Sequence, residues 1–183
     1  MKIMVITSSP NVNGLTAACS LEAIDGAKSI GAEVLLVRLN DMNIGACHAC
    51  GNGWGTCLNE HNCQVEDDFE KLHKSIKDID GFIIVTPVYW GEMSESAKAF
   101  FDRLRRCEAH KKDKNFIEGK PVICVAAAGG TGNGCINCLS SMERLVDHMR
   151  GIKYDFIGVT RRNRQYKLKA IRSAVESLTV SLE

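Results

Sequence analysis

Strand-like and helix-like patterns alternate along the chain, and this alternation is the strongest constraint on its fold. Runs rich in β-branched residues are each followed by a stretch in which apolar residues recur every three or four positions. The strand-like runs are residues 2–7, 32–39, 81–87, 121–130 and 153–160, and Pro87 is expected to end the third. Five such units predict an α/β fold, a doubly wound parallel sheet of five strands with helices on both faces.

The helical stretches carry apolar stripes that we interpret as faces packed on the sheet. The stripes are Ala17, Leu21, Ile24 and Ala27; Phe69, Leu72, Ile76 and Ile79; Ala97, Phe100, Leu104 and Cys107; Leu139, Met142, Val146 and Met149; and Leu168, Ile171, Val175 and Leu178. Ser94 precedes the third helix as a candidate N-cap. Cys19, Cys107 and Cys124 lie within these elements and are interpreted as core residues.

Length and charge narrow the function classes. At 183 residues the chain is expected to form a single domain, residues 1–183, with a cysteine-rich loop insertion at about residues 41–65. Its formal net charge of +1 offers no strong field for nucleic acid or an anionic membrane. The longest apolar run, residues 122–128, is far shorter than the roughly 20 residues that cross a bilayer. With no signal peptide in view, we expect a cytoplasmic protein without nucleic-acid or membrane partners.

Ligands of such sheets bind beyond the carboxyl ends of the strands, so the loops after the first, third and fourth strands are candidates. The first loop, TSSPNVNGLT (7–16), offers hydroxyls and side-chain amides ahead of a helix, which suits a phosphate. It has neither the G-K-[ST] of a Walker loop nor a G-x-G-x-x-G fingerprint, since Gly14 is its only glycine. An ordinary N-capped turn is the alternative.

The second and third loops suit a flat aromatic ligand. Tyr89 and Trp90 directly follow the third strand, where they can stack on a ring, although either also suits a role as a core plug. Pro87 and Gly91 restrict the backbone path between them. The third loop, AAAGGTGNG (126–134), lets the backbone approach a ligand closely, with a flexible turn as the alternative.

Together these loops resemble those of the flavodoxin-like NAD(P)H-dependent FMN reductases and, within them, the iron–sulfur flavoproteins. SSPNVNGLT (8–16) is similar to the family's phosphate loop, G-S-P-R-x-x-G-N-T. PVYWGEMSESAKAFFDR (87–103) matches the family's P-V-Y-x-G-x-x-x-x-x-x-K-x-F-x-D-R and is the most specific match. The resemblance covers about residues 1–150 and implies the flavodoxin-like strand order 2-1-3-4-5.

The resemblance implies FMN as the cofactor and NAD(P)H as co-substrate. The implied phosphate-binding residues are Ser9, Asn11, Gly14, Leu15 and Thr16, and the residues implied to flank the isoalloxazine are Pro87, Val88, Tyr89, Trp90, Gly91, Gly129 and Gly130. Asn11 stands where the family has arginine, and Leu15 where it has asparagine, so we expect a lower affinity for the phosphate.

Residues 45–63, GACHACGNGWGTCLNEHNC, hold four of the nine cysteines in a stretch without clear periodicity. Loops longer than roughly 12–15 residues in compact domains are usually functional or disordered. Disulfides are disfavoured in a reducing cytoplasm. The alternatives are an iron–sulfur site, a zinc site, or a loop of reduced thiols without metal at a dimer interface. The zinc site would use four thiolates, or three thiolates and an imidazole from His48 or His61.

The resemblance implies a [4Fe–4S] cluster in this loop, because iron–sulfur flavoproteins carry C-x-x-C-x-x-C and a fourth cysteine there. Cys47, Cys50 and Cys63 match three of those positions, whereas Gly53 occupies the remaining one. With Cys57 as the replacement, the implied ligand set is Cys47, Cys50, Cys57 and Cys63.

Cys135 and Cys138 form a second C-x-x-C at the predicted start of a helix. Because a helix N-terminus lowers thiol pKa values, the pair is a candidate redox couple or a contributor to a metal site. Packing of small residues at a helix start is the alternative, and it is our preferred interpretation.

The sequence therefore predicts an FMN-dependent oxidoreductase that passes electrons from NAD(P)H through FMN to an acceptor. The flavin supplies the chemistry, so no catalytic acid or base is assigned, and His48, His61 and Tyr89 are only candidates. The alternative is a flavodoxin-like electron-transfer or redox-sensing protein without a substrate of its own. We expect small-molecule or protein electron donors and acceptors as partners, and the resemblance implies a homodimer or homotetramer.

Overall fold

The computed structural model describes residues 1–113 and 115–182. Its strands are β1 (Lys2–Thr7), β2 (Glu33–Arg38), β3 (Gly81–Tyr89), β4 (Glu92–Met93), β5 (Pro121–Ala128) and β6 (Ile152–Thr160). Five of them pair in parallel in the order β2-β1-β3-β5-β6, and the two-residue β4 pairs antiparallel with β3. The predicted parallel sheet and its 2-1-3-4-5 order are confirmed, with β4 as an addition.

Helices cover both faces of this sheet. They are α1 (Leu15–Ser29), α2 (Cys50–Gly53), α3 (Thr56–Asn59), α4 (Phe69–Ser75), α5 (Glu95–Glu108), α6 (Cys135–His148) and α7 (Arg164–Val180), with a 3₁₀ turn at Leu39–Asp41. Residues of α4, α5 and α6 share one core cluster, and residues of α1 and α7 share the other. In the part of the chain that the structure describes, no helix is long and apolar enough to cross a membrane.

The apolar stripe predicted for α5 is confirmed. Ala97, Phe100, Leu104 and Cys107 are all fully buried. The Ser94 hydroxyl accepts a hydrogen bond from the Ala97 N–H at 3.4 Å, as the N-cap prediction requires. α5 is important for the site because its second half lies under the cysteine-rich loop.

The face predicted for α1 is confirmed at Ala27 and wrong at Leu21. Leu21 is 60% exposed, whereas Cys19 and Ala23 are fully buried. α7 approaches α1 so closely that a Cβ at Gly26 would lie 2.8 Å from the Arg172 carbonyl oxygen. This close approach selects small residues for the buried face, and the larger Leu21 side chain faces outward.

The third strand does not end at Pro87 as predicted. β3 runs on through Tyr89, and Pro87 still stands in register with Ala127 of β5. Beyond it, Val88 pairs with Met93 of β4. Proline removes one backbone donor, but the antiparallel pairing with β4 supplies new partners immediately after it, so the extended conformation continues.

Candidate functional site

The first and second loops lie together at the carboxyl edge of the sheet. Ser94 ties them, because its hydroxyl donates to the Ser8 carbonyl at 2.9 Å and its N–H donates to the Thr86 hydroxyl at 3.1 Å. The Ser8 N–H also donates to the Val85 carbonyl at 3.2 Å. These bonds position the start of the first loop directly against the end of β3.

The first loop leads into a helix start without a side-chain cap. The Asn11 N–H donates to the Ser9 hydroxyl at 3.2 Å, and the Asn13 N–H donates to the Asn11 Oδ1 at 3.0 Å. Gly14 is the N-cap of α1, and no side chain of the described residues caps the helix there. A Cβ at Gly14 would lie 2.9 Å from Asn11 Nδ2, so the amide lies beside the helix start. Backbone N–H groups and this amide form a donor set that suits an anion.

The second loop is a tight turn between β3 and β4 that presents Trp90. Trp90 and Gly91 both have a positive φ, 54° and 82°, as a two-residue hairpin turn of type I′ requires. The Trp90 side chain is fully exposed, and Tyr89 is partly exposed. A bulky residue in the left-handed region is uncommon, and the hairpin geometry imposes it here.

The third loop packs against this turn, backbone to backbone. A Cβ at Gly134 would lie 2.7 Å from the Gly91 Cα, and Gly134 itself has a φ of 83°. Any side chain at this position would push the two loops apart. Between them lies a recess of about 510 Å³, within the usual size range of ligand pockets.

Five of the seven residues predicted to flank the isoalloxazine line this recess. They are Val88, Trp90, Gly91, Gly129 and Gly130. Pro87 and Tyr89 are not part of the lining. Ser9 and Asn11 line a separate hollow between α1 and β2. Thr16 is buried and Leu15 packs partly against the core, so these two contribute no exposed side chain to the loop.

Sequence reasoning missed Asn137, whose side chain lines the recess from α6. A Cβ at Gly91 would lie 3.6 Å from both Asn137 Cβ and Nδ2, so the amide stands directly behind the turn. No motif marks this residue, because only the packing of α6 against the β3–β4 turn brings it there. Its amide offers both a donor and an acceptor to a bound ring.

The cysteine-rich loop is anchored at its base by Arg103 of α5. The buried guanidinium donates to both carboxylate oxygens of Asp67, at 2.6 and 2.9 Å, and to the Gly45 carbonyl at 3.0 Å. Nη2 also reaches the Val65 carbonyl at 3.5 Å. One side chain thus joins the two ends of the loop, a role that sequence reasoning did not assign, although the arginine closes the motif of residues 87–103.

The Asp67 carboxylate is held ionised by this anchor. Burial alone would raise its pKa, but hydrogen bonds from Arg103 and from the Gly45 and Phe69 N–H groups outweigh burial and lower the pKa to about 2. Burial lowers the pKa of Arg103, yet the bonds to Asp67 and the neighbouring Cys63 sulfur outweigh it and raise that pKa above its usual value. The pair therefore remains charged across the physiological range.

All four predicted metal ligands line one cavity. They are Cys47, Cys50, Cys57 and Cys63, and the cavity between them measures only about 20 Å³, which is the space of about one water or ion. Within residues 1–113 and 115–182, no three His, Cys, Asp or Glu side chains are arranged as ligands of one metal ion. The fold thus gathers the thiols without assembling them into a coordination sphere.

The floor of this cavity is positively charged. Arg103 and Arg106 both line it, and Arg106 also stacks over the Trp54 ring at 4.0 Å and donates to the Gly53 carbonyl. The Nε atoms of both arginines are buried without a hydrogen-bond partner among the described residues. Two guanidinium groups with unused donors suit sulfur anions, so the donor chemistry fits a thiolate-bound metal centre.

The two histidines of the cysteine-rich loop, His48 and His61, lie in different surroundings. His48 lines the cavity, whereas His61 has a positive φ of 58° and a buried Nδ1 without a partner among the described residues. All nine cysteines of the chain are free thiols in the structure. His48 is therefore the imidazole that the fold places beside the thiols.

Cys135 and Cys138 do not form an activated pair. Burial raises the pKa of Cys138 to about 12 and also raises that of Cys135, so the expectation of lowered pKa values at this helix start is wrong. Cys138 is fully buried, and the Cys135 thiol donates weakly to the Ala126 carbonyl at 3.6 Å. Desolvation outweighs the helix N-terminus here, which favours a packing role.

Comparisons with known proteins point to one family. The family model described as NADPH-dependent FMN reductase matches residues 1–155. An iron–sulfur flavoprotein of Methanosarcina thermophila is 31% identical over 137 residues, which cover 73% of this chain and 66% of the relative. Another, from Methanocaldococcus jannaschii, is 29% identical over 130 residues, covering 71% of this chain and 65% of the relative. The chain thus spans just under two-thirds of the length of these relatives.

A solved structure agrees with the topology. The NAD(P)H:quinone oxidoreductase of Methanothermobacter marburgensis superposes with a TM-score of 0.75 at 18% identity, covering 97% of this chain and 96% of that protein. At such identity the likeness supports the fold alone. The comparisons therefore agree with the resemblance inferred from the motifs and with a flavodoxin-like fold.

Proposed function

The chain belongs to the family of NADPH-dependent FMN reductases, and on that premise we propose that it is an FMN-dependent oxidoreductase. Electrons pass from NAD(P)H through FMN to an acceptor. The observation that carries this proposal is the recess of about 510 Å³ between the β3–β4 turn and the glycine-rich loop. It lies at the carboxyl edge of the sheet, where such folds bind their ligands.

FMN is proposed to bind with its ring in this recess and its phosphate at the start of α1. Val88, Trp90 and Gly91 would flank the ring on one side, with Gly129 and Gly130 on the other. Bound FMN supplies the capacity to accept a hydride and release electrons, while the protein positions it.

The phosphate is proposed to meet uncharged donors of the first loop. The residues concerned are Ser9, Asn11, Gly14, Leu15 and Thr16, and the Asn11 amide lies beside the helix start. An amide replaces the arginine of the family at this point, so attraction to a dianion comes from backbone N–H groups and the helix dipole. We therefore expect weaker FMN binding than in relatives that carry the arginine, and easier loss of the flavin on purification.

The cysteine-rich loop is proposed to hold a [4Fe–4S] cluster through Cys47, Cys50, Cys57 and Cys63. The relatives named iron–sulfur flavoproteins, the single cavity and its basic floor support this proposal. The cavity of about 20 Å³ must open to admit a cluster. Gly51 and Gly53 permit this, since both have a positive φ and open space around them. Zinc, which needs less room, and a metal-free thiol loop are the alternatives.

A second candidate function is electron transfer or redox sensing without a substrate of its own. The complete exposure of Trp90 favours it, because a ring bound beside Trp90 would have an edge open to a protein partner. In either case we propose a single-domain cytoplasmic protein, acting as a homodimer or homotetramer with small-molecule or protein electron partners.

The test is FMN titration of the flavin-free protein, followed by anaerobic NADH and NADPH oxidation with the flavin-loaded protein. Saturable binding with quenched flavin fluorescence, and turnover of either nucleotide, would support the oxidoreductase. FMN binding without nucleotide oxidation would favour the electron carrier. Absence of saturable FMN binding would refute both.

A further inference from the structure

The end of β2 brings a positive charge beside the first loop. Arg38 is the last residue of β2 and stands in register with Thr7, the last residue of β1. Neighbouring strands of a sheet lie about 4.8 Å apart, so Arg38 leaves the sheet next to the point where the first loop begins. Arg38 therefore lies at the carboxyl edge, beside the loop that is proposed to hold the phosphate of FMN.

Arg38 also faces the side of the sheet on which the first loop rises to α1. Alternation along a strand places it on the same face of β2 as Leu36, and both residues line the hollow between α1 and β2 together with Ser9 and Asn11. This hollow measures about 80 Å³, the space of a few water molecules. Two residues of the first loop and the arginine thus share one small space.

The surroundings of Arg38 strengthen its attraction for an anion. Among the described residues, it is the only charged one that lines the hollow, and one wall of the hollow is apolar, with Leu21, Ile24 and Leu36. An apolar wall lowers the local dielectric constant, so a charge is screened less there than in open water. An anion at the mouth of the hollow would therefore be attracted by Arg38 and would meet no carboxylate in the lining.

The Arg38 guanidinium has donors left for a ligand. Its Nε donates to Asp41 Oδ2 at 2.7 Å, and the side chains of this ion pair are 35% and 62% exposed. Within residues 1–113 and 115–182, no hydrogen bond involves either Nη atom of Arg38. Since a guanidinium carries five N–H donors, the pair with Asp41 orients the side chain and leaves its Nη groups available.

We propose that Arg38 binds the phosphate of FMN and supplies the positive charge that Asn11 does not. The inference rests on the proposed FMN site and deepens it, because the cation comes from β2 while the first loop contributes uncharged donors. A guanidinium stays charged across the physiological range and can offer two parallel N–H groups to a phosphate. Asp41 competes for the same guanidinium, so Arg38 replaces the family's arginine only in part.

The experiment compares the affinity of the flavin-free protein for FMN and for riboflavin, which has the same ring system but no phosphate. Arg38→Gln is the test variant. Arg150→Gln is the matched control, because the Arg150 side chain is 40% exposed, pairs with Glu118 and lies just before β6 begins, at the amino edge of the sheet. Flavin fluorescence follows each titration at low and at high salt.

Two further variants test the competition and the replacement directly. Asp41→Asn removes the acidic partner of Arg38 and leaves the arginine in place. Asn11→Arg, combined with Arg38→Gln, restores an arginine at the position where the family has one. Both are titrated with FMN and riboflavin in the same way.

We expect Arg38→Gln to bind FMN about tenfold more weakly than wild type, with unchanged riboflavin affinity. Arg150→Gln should match wild type for both flavins. Salt should weaken FMN binding less in Arg38→Gln than in wild type, because the charge that salt screens is gone. Asp41→Asn should bind FMN about two- to threefold more tightly, and Asn11→Arg should recover the FMN affinity that Arg38→Gln loses.

An unchanged FMN affinity in Arg38→Gln would overturn the inference, and so would an equal loss of FMN and riboflavin affinity, which indicates a structural role. Should Arg38→Gln fail to fold, Asp41→Asn decides, because FMN binding no tighter than in wild type contradicts the competition. Wild type that binds both flavins equally well would overturn the phosphate contact and leave the flavin function intact. Wild type that binds neither flavin would refute the proposed function, and this inference with it.

Discussion

The recess beside the β3–β4 turn and the cysteine-rich loop are held in place by different physical means. The recess is formed by backbone, since Gly91 and Gly134 touch directly and the sheet fixes both loops. The two ends of the cysteine-rich loop are joined mainly by side chains: the buried Arg103 bonds to both ends, and the Asp67 and Asp68 carboxylates accept from backbone N–H groups at its start. The shape of a site built on strand ends therefore depends on backbone contacts and not on one side chain, whereas a long loop depends on its anchor. Substitutions in each region should therefore have separate effects on FMN binding and on loop anchoring.

The largest change in the free energy of unfolding is expected when Arg103, the anchor of the cysteine-rich loop, is replaced. Arg103→Met removes a buried guanidinium and leaves Asp67 as an unpaired buried charge, which we expect to lower the free energy of unfolding by about 3–5 kcal/mol. Urea denaturation measures the loss, and alkylation of Cys63 in the folded protein measures release of the loop.

The matched control is Arg105→Met on the same helix, which is expected to change stability by less than about 0.5 kcal/mol. FMN affinity should stay close to wild type in both variants, because the recess does not include these residues. An equal loss of FMN binding and loop anchoring in Arg103→Met would mean that the two regions are not independent.

The second largest effect is expected at the contact between Gly91 and Gly134. Gly134→Ala adds a Cβ 2.7 Å from the Gly91 Cα at a φ of 83°, so we expect a loss of about 2–3 kcal/mol and at least tenfold weaker FMN binding. Gly31→Ala is the control, since its φ of 84° is nearly equal but no atom would lie within 4 Å of the added Cβ. It should cost about 1 kcal/mol and leave FMN binding unchanged. Equal effects in both variants would show that the contact is unimportant.

The free energy of unfolding that the Arg103–Asp67 pair contributes should also depend on pH. The folded-state pKa of Asp67 is lowered from 3.8 to about 2, so its contribution is fully present above about pH 4 and is lost as the pH falls toward 2. The expected size is on the order of 2 kcal/mol. Trp54 fluorescence during acid titration reports the change, because Trp54 lies in this loop and its ring packs against Arg106 of α5. Asp67→Asn should abolish this pH dependence, and an unchanged acid transition in that variant would contradict the assignment.

The smallest effects on stability and on FMN affinity are expected when Trp90 is replaced by alanine. Its side chain is fully exposed, so Trp90→Ala should change the free energy of unfolding by less than about 0.5 kcal/mol. Loss of stacking should weaken FMN binding by about 1 kcal/mol, or roughly fivefold, as measured by flavin fluorescence. Trp90→Phe keeps an aromatic face and should retain most of the affinity. An unchanged FMN affinity in Trp90→Ala would show that the flavin ring does not stack on Trp90.

The sheet and its order could be inferred from sequence because strand and helix periods reflect burial of local side chains. The same logic failed for Leu21 of α1, because the close approach of α7 at Gly26 selects small residues for the buried face. It also misplaced the end of β3, since β4 supplies partners after Pro87 that no local pattern announces. Asn137 and Arg103 were missed as site residues for a related reason: their roles come from elements far away in sequence.

What the sequence by itself determined is the alternation of strands and helices, the motifs of residues 8–16 and 87–103, and the concentration of cysteines between residues 45 and 63. These are local properties of the chain, and local side-chain chemistry is enough to recognise them. Only the tertiary structure decided that Arg103 joins the ends of the cysteine-rich loop, that Gly91 meets Gly134, and that Cys107 lines the same cavity as Cys57 and Cys63. Such contacts depend on how α5 and α6 pack on the sheet, and packing depends on the whole chain at once.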